Sequence, residues 1–330
     1  MNRRQLLQSA AAATVTLGFG SPFAHAQENY PSRVVTVVIP YPPGGPTDLL
    51  GRLVADGLAN LWGKPVVAEN KPGASGTIGG DIVARAAPDG YTLVLGNNAS
   101  HGTYELLNPH TTPYITLRDF APVSLIGLAP QVMIISTGAG PKDLKSFLEF
   151  ARENPGKLNY GSSAIGSSPH LAAEMLKLAA GVDITHIPFN GAAPVMQAIV
   201  ANTVQMYIGA PSTVMPQVEA GKAIAVGALS AERIASLPDV PTFRENGVDI
   251  VYNSWFGLLA PAATPPEILD KINADITTLL QKPEIQTQLA NLGFIAETGT
   301  REEFTQMLKD EGEKTKQTIE AAKIEVEKKP

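Results

Sequence analysis

The 330-residue chain contains no cysteine. That absence excludes disulfides, thiolate metal sites, cysteine nucleophiles and a lipid anchor on an N-terminal cysteine. Positive charge is also scarce: 25 Lys and Arg stand against 31 Asp and Glu, for a formal net charge of −6. A nucleic-acid partner needs a clustered basic face, so none is expected. Beyond residue 26 no apolar run is long enough to span a bilayer. What the chain does have is 30 Gly and 27 Pro, a wealth of turn-formers without low complexity. Its length fits about two domains and is ample for large cores.

Residues 1–26 read as a secretory signal peptide. Arg3 and Arg4 open it, an apolar stretch follows from about Leu6 to Phe19, and Ala24-His25-Ala26 fits the A-x-A cleavage rule. Cleavage is expected after about Ala26. Asn2-Arg3-Arg4-Gln5-Leu6-Leu7 matches the twin-arginine pattern incompletely, leaving both Sec and Tat export open. Removing this segment takes away two arginines and no acid, so the mature net charge becomes −8. An exported, unlipidated chain of this kind belongs in the periplasm of a Gram-negative cell.

The mature chain alternates short β-branched runs with helical stretches, the pattern of βαβ units and mostly parallel sheets. The run 33–40 (RVVTVVIP) predicts a strand covered on both faces. A Pro/Gly loop, 41–46, leads to a helix over about 47–61. Strands are predicted again at 65–69 and 91–95, each followed by a loop of small residues. A long strand-like stretch, 121–137, then leaves this unit, and the strand–loop–helix rhythm restarts. The last helix, 301–326, is charged all round and predicts a surface helix with a frayed end. This order predicts an α/β protein in which residues 27–128 and 249–330 form a first, discontinuous domain and 129–248 a second. Two crossings permit hinge closure around a ligand.

The motifs of several enzyme classes are missing. In Gly161-Ser162-Ser163-Ala164-Ile165-Gly166 the residue Ile165 occupies the place of the second glycine of a nucleophile elbow. Gly44-Gly45-Pro46-Thr47 has no Walker lysine, and no glycine fingerprint follows a strand. His170 and Glu174 share a helix face, but two ligands rarely make a metal site. No cofactor and no metal are expected. A hydrolase or transferase using Ser162, Ser163 or His170 is the rival reading.

The loops after strands are richer. Each joins a strand's C-terminal end to a helix N-terminus, where ligands sit in open α/β sheets. Unpaired N–H groups and a positive partial charge there suit a carboxylate, glycines allow close approach, and hydroxyls add donors. Pro43, Gly44, Gly45, Thr47 and Asp48 fit this design, as do Ser162, Ser163, Gly166 and Ser167 ahead of Pro169. Phe189, Asn190 and Gly191 ahead of Pro194 repeat it. Asn97, Asn98, Ser100 and His101 after the third strand, and His170, can add side-chain contacts.

These loops resemble those of the receptors of tripartite tricarboxylate transporters, the Bug receptors. The matching segments are Tyr41-Pro-Pro-Gly-Gly-Pro-Thr-Asp48, Glu69-Asn-Lys-Pro-Gly73, Gly76-Thr-Ile-Gly79 and Pro88-Asp-Gly-Tyr-Thr92. Asn159-Tyr-Gly-Ser-Ser163, Gly166-Ser-Ser-Pro-His-Leu-Ala172, His186-Ile-Pro-Phe-Asn-Gly191, Asp239-Val-Pro-Thr242 and Trp255-Phe-Gly-Leu258 continue it. The resemblance implies a Venus-flytrap, type II periplasmic-binding-protein fold. It implies a monomer that carries a small carboxylate, an aliphatic di- or tricarboxylate or an aromatic acid, to a permease of one large and one small membrane subunit. A receptor feeding a membrane sensor kinase is an alternative use of the same fold. The implied grip on the carboxylate comes from Pro43, Gly44, Gly45, Thr47 and Asp48, then Ser162, Ser163, Gly166 and Ser167. The family often has an aromatic and then Lys or Arg before the glycine at Gly191; here the pair is Phe189-Asn190, so a cation for a second carboxylate is missing.

Overall fold

The computed structural model describes residues 30–329, and the expected signal peptide lies outside them. The first sheet has six strands. Strands β1 (Val35–Ile39), β2 (Val66–Asn70) and β3 (Thr92–Asn97) run parallel, and β4 (Phe120–Pro130), β10 (Asn253–Pro261) and β11 (Ile295–Ala296) extend the sheet antiparallel, in the order β11-β4-β10-β3-β1-β2. The second sheet contains β5 (Val132–Ser136), β6 (Asn159–Ser162), β7 (Thr185–Pro188), β8 (Met206–Gly209) and β9 (Ala223–Ala228), ordered β7-β6-β8-β5-β9. The near-continuous apolar runs are buried as two-sided strands should be: Val35, Val37, Val38 and Ile39 have almost no exposed surface.

Helix α1 (Pro46–Trp62) starts on a proline and ends at Gly63, whose left-handed backbone lets its N–H reach Ala59 O at 3.0 Å. Its inner face, with Leu50, Val54 and Leu58, joins Ile272 and Leu279 in the first lobe's core. The second lobe packs Phe147, Leu148, Tyr160, Leu176 and Ile208 around its own sheet.

Two findings differ from the expectations. The apolar stretch 121–137 is not one strand: it breaks at Gln131, where the chain changes sheet. Gln131 Nε2 donates to Ser254 Oγ at 3.2 Å and to Ala129 O at 3.2 Å, stitching the outgoing strand to the returning one. The last long helix (Arg301–Ala321) is not charged all round. It buries Phe304 and Leu308 in the first lobe and Ile319 in the second, so it lies across both. After it, the tail is fastened rather than frayed: Glu327 N donates to Leu107 O at 2.8 Å. No described helix is long and apolar enough to cross a membrane.

Candidate functional site

A cleft of about 560 Å³ opens between the lobes. From the first lobe it is lined by Tyr41, Ser75, Asn97, Thr103, Tyr104, Leu107 and Asn108. The second lobe contributes Ser163 to Pro169, and the tail contributes Glu325 and Glu327.

Tyr41 and Asn97 stand at the C-terminal ends of neighbouring parallel strands. The Tyr41 hydroxyl donates to Asn97 Oδ1 at 2.9 Å and is 3.0 Å from Ser75 O. Burial pushes the phenol up to about 12, so it stays a donor. Asn97 Oδ1 also accepts from the N–H groups of Ala99 and Ser100, both at 3.1 Å. With its oxygen turned inward, the amide nitrogen of Asn97 is left for the cleft. Asn98, Ser100 and His101 lie behind this wall. Asn98 Oδ1 accepts from Trp255 N at 2.7 Å, tying β3 to β10, and Ser100 Oγ pairs with His101 Nδ1 at 2.8 Å.

The 42–45 loop follows Tyr41, but Pro43, Gly44, Gly45, Thr47 and Asp48 are not among the residues lining the cleft. Pro43 and Gly44 are exposed, whereas Thr47 and Asp48 are buried. The Asp48 carboxylate accepts from Gly44 N at 2.9 Å, Asn70 Nδ2 at 2.8 Å and Arg52 Nε at 3.1 Å. Burial opposes its ionisation, but these donors outweigh it and hold the carboxyl at about 2. Asp48 thus shapes the loop from within.

Across the cleft, β6 ends at Ser162 and the next long helix (Ser168–Ala180) starts on Ser168-Pro169. Ser163, Gly166 and Ser167 line the cleft, while Ser162 and His170 are buried beneath it. Ser167 precedes the helix without capping it; its hydroxyl donates to Ala164 O at 2.7 Å. Pro169 carries no N–H and Leu171 N donates to Ser167 O at 3.0 Å, so Ser168 and His170 supply the N–H groups this turn can offer an anion. Phe189, Asn190 and Gly191 lie outside the lining, but Gly191 N donates to Ser163 O at 2.8 Å and Phe189 N to Ser162 O at 2.9 Å, bracing the serine loop from the side. Asn190 is exposed and Phe189 packs against the core beneath.

The charged lining residues are Glu325 and Glu327. Burial works against Glu327 ionising, yet the N–H groups of His110 and Thr111, at 3.0 and 3.1 Å, keep its carboxyl below the usual range. An anion here is met by neutral donors and a helix terminus rather than by a cation. Reading by sequence found Asn97 but missed the Tyr41 hydroxyl and the tail as parts of the wall. Tyr41 carries a signal, standing just past the end of a parallel strand; the tail, two glutamates beyond a helix, carries none.

Two α/β lobes, joined by crossing strands and lined on both inner faces, define a two-lobed solute-binding protein. The chain belongs to the tripartite tricarboxylate transporter family of receptors, whose family model matches residues 50–324. It is 33% identical to a UPF0065 protein from the tcbD-tcbE intergenic region of a Pseudomonas species, over 97% of this chain and 94% of that protein. It is 31% identical to Protein BugT of Bordetella pertussis, over 94% of this chain and 95% of that one. Among solved structures, R. palustris Rpa4515 with adipate superposes with a TM-score of 0.79 at 31% identity, covering 90% of this chain and 99% of its own. MatC from Rhodopseudomonas palustris with bound malate gives 0.74 at 33% identity, covering 88% and 100%. The periplasmic binding protein BugD gives 0.75 at 31% identity, covering 90% and 99%.

Proposed function

We propose that this protein is a periplasmic receptor that closes on a small organic carboxylate and hands it to a tripartite tricarboxylate transporter permease. The observation that carries the reading is the serine loop. It presents an uncapped helix N-terminus and hydroxyls to a cleft whose opposite wall offers Tyr41 and Asn97. The bound adipate and malate of the two related structures support a carboxylate. Hydrogen bonds to a charged group contribute about 1.5–3 kcal/mol each. Four or five, less association and closure costs, leave around −8 kcal/mol, or roughly micromolar affinity. That strength suits a carrier that must also release its cargo.

Ser162 Oγ lies 2.7 Å from His186 Nε2, the spacing of a nucleophile–base pair. The serine has no exposed surface, and among the described residues no carboxylate hydrogen-bonds the other ring nitrogen of His186. Binding without turnover is the reading this supports. The lobes are assigned as 27–128 with 249–330, and 129–248, working as a monomer after export and cleavage near Ala26.

The test is native mass spectrometry of the mature protein followed by a thermal-shift panel of mono-, di- and tricarboxylates and aromatic acids. A stabilising carboxylate, bound one to one and recovered unchanged, is the expected result. Catalytic consumption of the bound acid would overturn the reading.

A further inference from the structure

Beneath the serine loop three near-parallel rings cluster around His186, with Tyr160 and His170 6.3 Å apart. Tyr160 lies 4.8 Å from His186 at 19°, and His186 lies 4.0 Å from His170 at 12°. The two histidines meet the two ends of the loop. Ser162 Oγ donates to Ala164 O at 3.0 Å, so its 2.7 Å contact with His186 is satisfied when the ring donates from Nε2. Gly166 N donates to His170 Nδ1 at 2.9 Å, which requires that nitrogen to be unprotonated. His170 is thereby the neutral Nε2–H tautomer, and His186 is a donor at Nε2.

Burial favours the neutral form of His186, and Lys177 adds to it, against the pull of the Glu174 carboxylate. Facing His186 are Tyr160 and Ser162 from β6 and His170, Glu174 and Lys177 from the following helix. The Tyr160 hydroxyl and, at 2.8 Å, Lys177 Nζ both donate to Glu174 Oε1. Two stacked imidazoles at this distance cannot both carry charge.

We infer that His186, which does not line the cleft, is a positioning residue for the ligand: with His170 it forms a neutral stacked pair that clamps both ends of the 162–166 loop. His186 sets where Ser163 and the open N–H groups point, and His170 sets where Gly166 meets the other lobe. This rests on the reading of the cleft as a carboxylate site.

The experiment compares mature wild type, His186→Phe, His186→Gln and Ser162→Ala by amide hydrogen exchange and by titration with adipate. His186→Phe keeps a stacking ring and loses the donor. Exchange across 163–166 is expected to rise about tenfold while β1 and β8 amides stay protected, and adipate affinity falls about as much. His186→Gln can donate from its amide and restores both to within about threefold. A merely structural role would move all amides together and give no rescue. If His186→Phe does not fold, Ser162→Ala, which removes the acceptor for His186 together with the bond to Ala164 O, decides: loop exchange equal to wild type overturns the inference. In wild type, acidification that protonates His170 removes the acceptor for Gly166 N and loosens this loop ahead of the core. Loop exchange equal to wild type in His186→Phe or Ser162→Ala overturns the inference. Failure of wild type to bind adipate counts against the carboxylate reading on that probe, and the exchange comparison still decides His186.

Discussion

Gly166 of the serine loop touches Leu107 of the opposite lobe with no room for another atom between them. A methyl at Gly166 would run into Leu107 Cδ1, and Thr103 Cγ2 lies 3.2 Å from the same point. The backbone φ of Gly166 is +74°, a region that side chains other than glycine's rarely adopt. Leu107 is also buried in the second lobe's core, and its close approach to the serine loop depends on Gly166 having no Cβ.

Gly166→Ala should therefore hold the lobes apart. Backbone strain alone costs about 1 kcal/mol or more, and the collision adds to it in the closed form. The expected outcome is at least about a tenfold loss of malate or adipate affinity with far-ultraviolet circular dichroism unchanged. Small-angle scattering checks the cause: the variant should show a larger radius of gyration than wild type at saturating ligand. Equal radii would place the effect elsewhere.

The tail gives a second prediction. Ile324 and Val326 pack on the second lobe's core, while Glu327 is fastened to Leu107, His110 and Thr111. The segment crosses the cleft mouth as a strap. Truncation after Lys323 should speed ligand release and enlarge the unliganded protein, with Glu327→Gln falling between truncation and wild type. Stopped-flow dissociation and scattering measure the two effects, and identical release rates in all three proteins would remove the strap from the mechanism.

Much of this was legible in the sequence, for physical reasons. Buried parallel strands need unbroken apolar runs, so Val35–Ile39 announces itself, and loops that approach a ligand need small residues, so the serines ahead of Pro169 stand out. The break at Gln131 was not legible, because apolar residues on either side are equally buried and periodicity does not record a change of sheet. Asn97 and Asn98 are equally polar. Which of them faces the cleft depends on the wide turn Ala99–Thr103, whose hydrogen bonds draw Asn98 toward Trp255. In the last helix Phe304, Leu308 and Ile319 are too sparse among charges to mark an inner face, yet each sits where a lobe needs it.

Asp48 offers a third prediction, separating loop-shaping from ligand contact. Its carboxylate is 3% exposed and already filled by Gly44, Asn70 and Arg52. Asp48→Asn keeps the shape and loses the charge-assisted bonds, at a cost of about 1–3 kcal/mol in stability. Urea unfolding should show that loss both with and without ligand. A variant of wild-type stability that no longer binds would instead make Asp48 a direct ligand contact.

Acid should destabilise the protein through two buried histidines. His101, packed against Tyr114 and Phe120, is brought down to about 3 by burial, and so is His170, by burial, its neighbour His186 and then Lys177. A histidine with a lowered folded-state value binds its proton more weakly folded than unfolded. Its contribution is complete above the unfolded value of about 6.5 and is lost progressively as pH falls from there toward about 3. Within that window each histidine should steepen the decline by about 1.4 kcal/mol per pH unit. His101→Phe keeps a ring against Tyr114 and Phe120 but cannot titrate, so its urea midpoint should fall less between pH 6.5 and 4.5 than that of wild type. Parallel curves for the two proteins would mean that His101 is already protonated in the fold. That would require an acceptor for its Nε2, an atom with no hydrogen-bond partner among the described residues.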